Sequence, residues 1–142
     1  MFEFQLDSQL SQDTIVVGDF PLCRLLLMND STFPWFILVP RVVGIEEVYE
    51  LDEEQQLQLS RESSLLSRKL QGVFVADKMN VAALGNIVRQ LHVHHVVRYS
   101  GDPAWPAPVW GKLPAQAYQE AEYERVIEQL RLVLRSPFKF DE

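Results

Sequence analysis

All three histidines of this 142-residue chain fall within positions 92–95, in the run Gln90-Leu91-His92-Val93-His94-His95-Val96-Val97-Arg98. The run is short, valine-rich and tightly alternating, which reads as the last core strand over 90–98. Successive side chains on a strand point to opposite faces, so Gln90, His92 and His94 share one face and Leu91, Val93, His95 and Val97 the other. The second face is mostly apolar and belongs against a core or a helix. The first is a row of nitrogen-bearing polar groups, and a merely structural strand has little reason to carry one.

Three readings of that row are open. It can be a solvated face whose histidines have no function. It can be part of a metal site, since His-x-His on a strand supplies two ligands, with a carboxylate as the third because His95 points the other way. Or it can serve phosphate chemistry, where a neutral imidazole attacks phosphorus and neighbouring donors meet the charge.

The rest of the chain frames this strand as one α+β domain over 1–142. Thr14-Ile15-Val16-Val17, Leu22-Cys23-Arg24-Leu25-Leu26-Leu27 and Phe36-Ile37-Leu38-Val39 are short apolar runs bounded by Gly18, Pro21, the Asn29-Asp30-Ser31-Thr32 cluster and Pro40, and read as strands. Asp52 with Gln55 three residues on forms a capping box. Leu59, Leu66 and Leu70 then recur at helical spacing, so a helix runs from about 52 to 70. Gly72 is expected to stop it and Val73-Phe74-Val75-Ala76 to make a further strand. Prolines between Asp102 and Gly111 forbid a regular element there. A closing helix is expected from Pro114, with Tyr123, Val126, Ile127, Leu130 and Leu134 as its apolar stripe. The expected architecture is an antiparallel sheet of about five strands with two principal helices.

Charge narrows the partners. Thirteen basic residues against twenty acidic ones give a net charge of −7, with no basic tract of the kind that grips many phosphates of a polynucleotide. A small phosphorylated ligand needs only a few aimed donors, so it stays open. No run approaches the roughly 18 apolar residues that span a bilayer, and the acidic start Glu3-Phe4-Gln5-Leu6-Asp7 is unlike a signal peptide; a cytoplasmic protein is expected. Cys23, the single cysteine, reads as a small buried hydrophobe.

The histidine run resembles the motif of the histidine-triad (HIT) superfamily, His-x-His-x-His followed by two apolar residues. Gln90 stands at the first histidine's place, His92 at the second and His94 at the third, with Val96, Val97 and Arg98 completing the pattern. Leu27-Met28-Asn29 resembles the strand end whose asparagine lies near the ribose, and Phe36-Ile37-Leu38-Val39-Pro40 the strand that follows. Lys78-Met79-Asn80 through Leu84-Gly85-Asn86 is similar to the connection into the histidine strand. The likeness covers roughly 14–111. The chain departs from the motif at Gln90, which can donate an amide hydrogen bond but carries no proton for transfer, and near Trp35 and Phe36, where many members have a further histidine.

The resemblance implies a HIT-like fold and a homodimer that acts on a small-molecule nucleotide without a cofactor or metal. It makes His92 the nucleophile toward the α-phosphate, with His94 and Gln90 as supporting groups and Asn29, Asn80 and Asn86 as nucleotide-binding residues. The reaction implied is hydrolysis or transfer on a phosphoramidate, a nucleotidyl adduct or a dinucleoside polyphosphate. A nucleotide-binding or sensing protein with little catalysis and a metal-dependent hydrolase are the alternatives. An ordinary histidine pKa of about 6.5 leaves most imidazole neutral at cytoplasmic pH, so such a nucleophile needs no special activation. Arg98 reads as a solvated strand-end charge. Trp105 and Trp110 read either as packing residues or as a wall over the nucleotide.

Overall fold

The structure, a computed structural model, describes residues 3–142; Met1 and Phe2 lie outside the described residues of the single domain expected over 1–142. The leucine- and β-branched runs bounded by turn formers become strands β1 (Thr14–Asp19), β2 (Cys23–Met28) and β3 (Trp35–Pro40), and the histidine run becomes β5 (Val93–Arg98). With β4 (Lys78–Ala83) and the two-residue β6 (Lys139–Phe140) they form one antiparallel sheet in the order β4-β5-β3-β2-β1-β6. A six-residue helix α1 (Ser8–Asp13) precedes the sheet, α2 (Glu53–Phe74) connects β3 to β4, and α3 (Glu120–Val133) follows β5. Among the described residues no helix is long and apolar enough to cross a membrane.

Alternation sorts the sheet's side chains into two apolar clusters, one on each face. Leu25, Leu27, Phe36, Leu38, Val93 and Val97 pack with Leu59, Leu66 and Leu70 of α2 and Val126 and Leu130 of α3. Burying each of these large side chains contributes roughly 1.5–3 kcal/mol. On the other face Leu26, Trp35, Ile37, Val39 and Val96 pack with Leu10, Phe33, Ala104 and Val109, residues of α1 and of loops. Glu62, buried on α2, accepts from the backbone N–H of Leu22 at 2.9 Å and of Cys23 at 2.8 Å, which pins the helix to the start of β2. Cys23 is fully buried, as expected of a small hydrophobe, and burial with the nearby Glu62 pushes its thiol pKa up.

The expected strand at 73–76 does not form. Residues 73 and 74 extend α2, because Phe74 gains a ring contact with Phe36 at 5.9 Å and Gly72 sits on an open helix face where flexibility costs only about 1 kcal/mol. Val75, with φ 52°, then ends the helix as a left-handed cap. The strand of this region is β4, read from sequence as a connection; it is an edge strand and half exposed, so it carries no sharp apolar signal. The closing helix begins at Glu120 rather than Pro114, because residues 116 and 118 are held instead by the β2–β3 turn: Gln116 donates to Asp30 at 3.3 Å and Tyr118 to Asn29 Oδ1 at 2.8 Å. Gly18 lies at a bulge in β1 where a Cβ would come within 2.3 Å of the Lys139 carbonyl, so only glycine lets β6 join the edge.

Candidate active site

Strand pairing begins at Val93, three residues later than expected, since Leu91 N–H is spent on the Ile45 carbonyl at 2.9 Å. The backbone stays extended enough for the facing pattern to hold. His92 and His94 share one side of the sheet with ring centroids 5.0 Å apart, and Leu91, Val93 and Val97 lie in the helix-side cluster. His95 joins them there, fully buried, with Nδ1 3.0 Å from the Val93 carbonyl and Nε2 2.7 Å from Ser63 Oγ of α2.

His92 and His94 are each 5% exposed, and their ring nitrogens meet different partners. His92 Nδ1 lies 2.8 Å from the Gln90 carbonyl. A carbonyl only accepts, so in the neutral ring the proton sits on Nδ1 and Nε2 presents a lone pair. His94 Nδ1 accepts from Trp35 Nε1 at 2.9 Å. Burial first, then the neighbouring His92 and His95, lowers the His94 pKa to about 3. Burial likewise lowers His95 to about 4. His94 is therefore a neutral group at any ordinary pH.

His92 stands where two cavities meet. One, of about 350 Å³, is mainly apolar and lined by Leu10, Met28, Val88, Trp110, His92 and His94. The other, of about 340 Å³, is polar and lined by Glu46, Glu47, Asn86, Arg89, Gln90 and His92. A third, of about 360 Å³, lies beside Trp35 and is lined by Asp13, Met28, Asn29 and Asp30.

The other residues singled out from the sequence fall into two groups. Asn86 lines both cavities at His92. Gln90 lines the polar one, but its amide is occupied by the N-terminal segment: Oε1 accepts from Asp7 N–H at 2.8 Å and Nε2 donates to the Gln5 carbonyl at 2.9 Å. Asn29 lines the third cavity while its Oδ1 holds Tyr118 N–H. Asn80, opposite Val96 and thus two pairs along from His94, accepts at its Oδ1 from Arg98 Nη1 at 2.8 Å. These asparagines retain their amide N–H groups as donors.

Arg98 is not a solvated charge. It is 1% exposed, forms a two-point ion pair with Asp102 at 2.8 and 3.0 Å, and lies between the rings of Phe33 and Trp105. The loss of hydration is offset because the guanidinium's donors find a carboxylate and an amide. Asp102, held by Arg98 at a pKa of about 2, also accepts from the backbone N–H groups of Ala104 and Trp105, so the pair organises the proline-rich loop. The two loop tryptophans separate: Trp105 covers Arg98, whereas Trp110 stands edge-on to His94 at 5.2 Å and to Trp35 at 5.9 Å. Trp35 and the α1 residues Leu10 and Asp13 were missed as site residues. For Trp35 a signal existed, because an indole N–H one strand away from the histidines is a donor that must find an acceptor.

Among the described residues no group of three histidine, cysteine, aspartate or glutamate side chains is arranged to hold a metal ion. Comparison with known proteins agrees with the fold and the motif. A family model described as the HIT domain matches residues 9–101. A histidine triad protein from Marinobacter aquaeolei VT8 is 56% identical, with a TM-score of 0.92 over 94% of this chain and 97% of the other. One from Bradyrhizobium japonicum is 45% identical, with a TM-score of 0.92 over 94% and 99%. One from Sinorhizobium meliloti 1021 is 44% identical, with a TM-score of 0.90 over 92% and 97%. Among curated proteins none matches.

Proposed function

Since the chain belongs to the histidine triad (HIT) family, we propose that it is a nucleotide hydrolase or transferase in which His92 attacks the α-phosphorus of a nucleotide conjugate. The observation that carries this reading is the hydrogen bond from His92 Nδ1 to the Gln90 carbonyl, which leaves Nε2 as a lone pair at the mouth of two cavities. In the first step a bond forms between Nε2 and phosphorus, and the bond from phosphorus to the leaving amine or phosphate breaks. The leaving group departs with its electron pair and takes up a proton from solvent water. Water or another acceptor then attacks phosphorus, loses its proton and releases His92. His94 donates to a phosphoryl oxygen as charge develops, with the Asn86 amide beside it.

The proposed substrate is a small nucleotide conjugate: a phosphoramidate, a nucleotidyl adduct or a dinucleoside polyphosphate. The net charge of −7 supports a small ligand over a polynucleotide. Asn29 and Asn80 are assigned to the nucleotide through the amide N–H groups they keep free of the bonds described above. The proposed setting is the cytoplasm. The proposed homodimer is supported by β4, which is outermost in the sheet and leaves Val81 48% exposed; light scattering in solution tests it.

A second reading, binding or sensing with little turnover, is favoured by one observation. Gln90 stands where the motif that this run resembles has a histidine, engages its Oε1 and one amide N–H on Asp7 and Gln5, and as an amide has no proton to give a leaving group. Steady-state release of AMP from adenosine 5′-phosphoramidate separates the two. The enzyme reading expects turnover that His92→Ala abolishes and His94→Ala slows by about 100- to 1000-fold, the usual cost of losing one oxyanion donor. Tight AMP binding with no product would select the sensing reading.

A further inference from the structure

We infer that Trp35 is a positioning residue whose indole N–H, held on Nδ1 of His94, fixes that ring as the tautomer with its proton on Nε2. Indole nitrogen donates and never accepts. At 2.9 Å from Trp35 Nε1, His94 Nδ1 has to present its lone pair. A neutral imidazole has a single N–H, so the proton resides on Nε2 and makes that nitrogen the donor. A doubly protonated ring would turn two donors against each other. The low His94 pKa agrees with this, since burial already disfavours the cation.

Trp35 is placed to do this by the sheet itself. It pairs with Val96 across β3 and β5, which puts its side chain on the face that carries His94. Phe33 at 6.4 Å and Trp110 at 5.9 Å stand edge-on against its ring, and 7% of it is exposed. The indole therefore has little freedom to leave its acceptor.

The consequence is a division of labour between two rings only two residues apart. His92 rests on a carbonyl and carries its proton on Nδ1; His94 rests on an indole and carries its proton on Nε2. One ring presents a lone pair and the other a hydrogen, both at Nε2, with no proton exchanged between them. A phenylalanine at position 35 would fill the space but free Nδ1 to take the proton. His94 would then turn a lone pair toward a phosphoryl oxygen in part of the molecules. The catalytic half of this inference rests on the proposed function; the tautomer does not.

The test is histidine-labelled ¹⁵N NMR, using long-range ¹H–¹⁵N correlations of the imidazole rings between pH 8 and pH 5. Wild-type protein is expected to show His94 as the Nε2–H tautomer throughout, with a scalar coupling across the hydrogen bond from Trp35 Nε1. Trp35→Phe is expected to give a mixture of tautomers and a kcat about tenfold lower, the worth of one hydrogen bond, with KM moved less. An Nδ1–H tautomer at His94 in the wild type, or an unchanged tautomer in Trp35→Phe, would overturn the inference. The wild-type spectrum decides it even if the variant does not fold. Inactive protein with Nε2–H at His94 would count against the enzyme reading alone.

Discussion

The two faces of the sheet are closed by different means. One is covered by α2 and α3, whose leucine stripes meet the strands over a continuous apolar surface. The other has no long helix among the described residues. It is covered by α1, the N-terminal segment and the loop after β5; the N-terminal segment and the loop are tied down by polar clamps, Gln90 on Gln5 and Asp7 and Asp102 on Arg98. Both faces bury a neutral histidine, and on the loop-covered one His92 and His94 stand beside cavities. Area alone holds a face shut, whereas a few directed bonds between short segments hold a face closed while leaving room for a ligand.

The largest effect is expected from breaking the Arg98–Asp102 clamp. Asp102→Ala leaves a buried guanidinium unpaired and should destabilise the fold by about 3–5 kcal/mol. Leu70→Ala on the helix side should cost a similar 2–5 kcal/mol through its cavity. The two differ in a second readout. Loosening the loop should change the indole environment of Trp110 and weaken nucleotide binding under conditions where the protein remains folded, and Leu70→Ala should do neither. Equal effects of the two on binding would erase the distinction between the faces.

Acid is the next lever. Burial lowers His94 to about 3 and His95 to about 4 from the 6.5 of an unfolded chain, so over that window the unfolded state takes up protons that the fold refuses. Their contribution is constant above pH 6.5 and falls as the pH drops toward 4, by roughly 3 kcal/mol for each ring. Chemical denaturation across this range checks it, with His94→Asn and His95→Asn each expected to flatten the curve. If only one does so, the faces differ in how they tolerate a charged imidazole.

The smallest effect is local. Gln90→Ala should cost about 1 kcal/mol and show mainly as faster hydrogen exchange over residues 5–7, with exchange in α2 unchanged. Protection that persists at Asp7 would mean that packing, and not the amide clamp, holds this segment.

The helix-covered face was the more legible one. Leu59, Leu66 and Leu70 announce their helix by spacing, and the alternation through Leu91, Val93, His95 and Val97 assigns the histidines to faces correctly. Segments were misread where local pattern and tertiary context disagree. Val73 and Phe74 have strand-like side chains but continue a helix that Phe36 rewards, and the edge position of Lys78–Ala83 removes the apolar signal of a strand. Among the candidate site residues, the placing of His92 and His94 on one face was readable from their spacing. The partners of Arg98 lie 4 and 18 positions away, those of Gln90 83–85 and that of Trp35 59, and apart from Arg98 with Asp102 no local pattern could have joined them.

The account stands on the lone pair of His92. Rapid quenching of the protein with adenosine 5′-phosphoramidate, followed by peptide mapping in a mass spectrometer, tests it most directly. The account predicts an adenylyl group on His92 within the first turnover and none in His92→Ala. An adduct on His94, or product formed with His92→Ala at the wild-type rate, would contradict it.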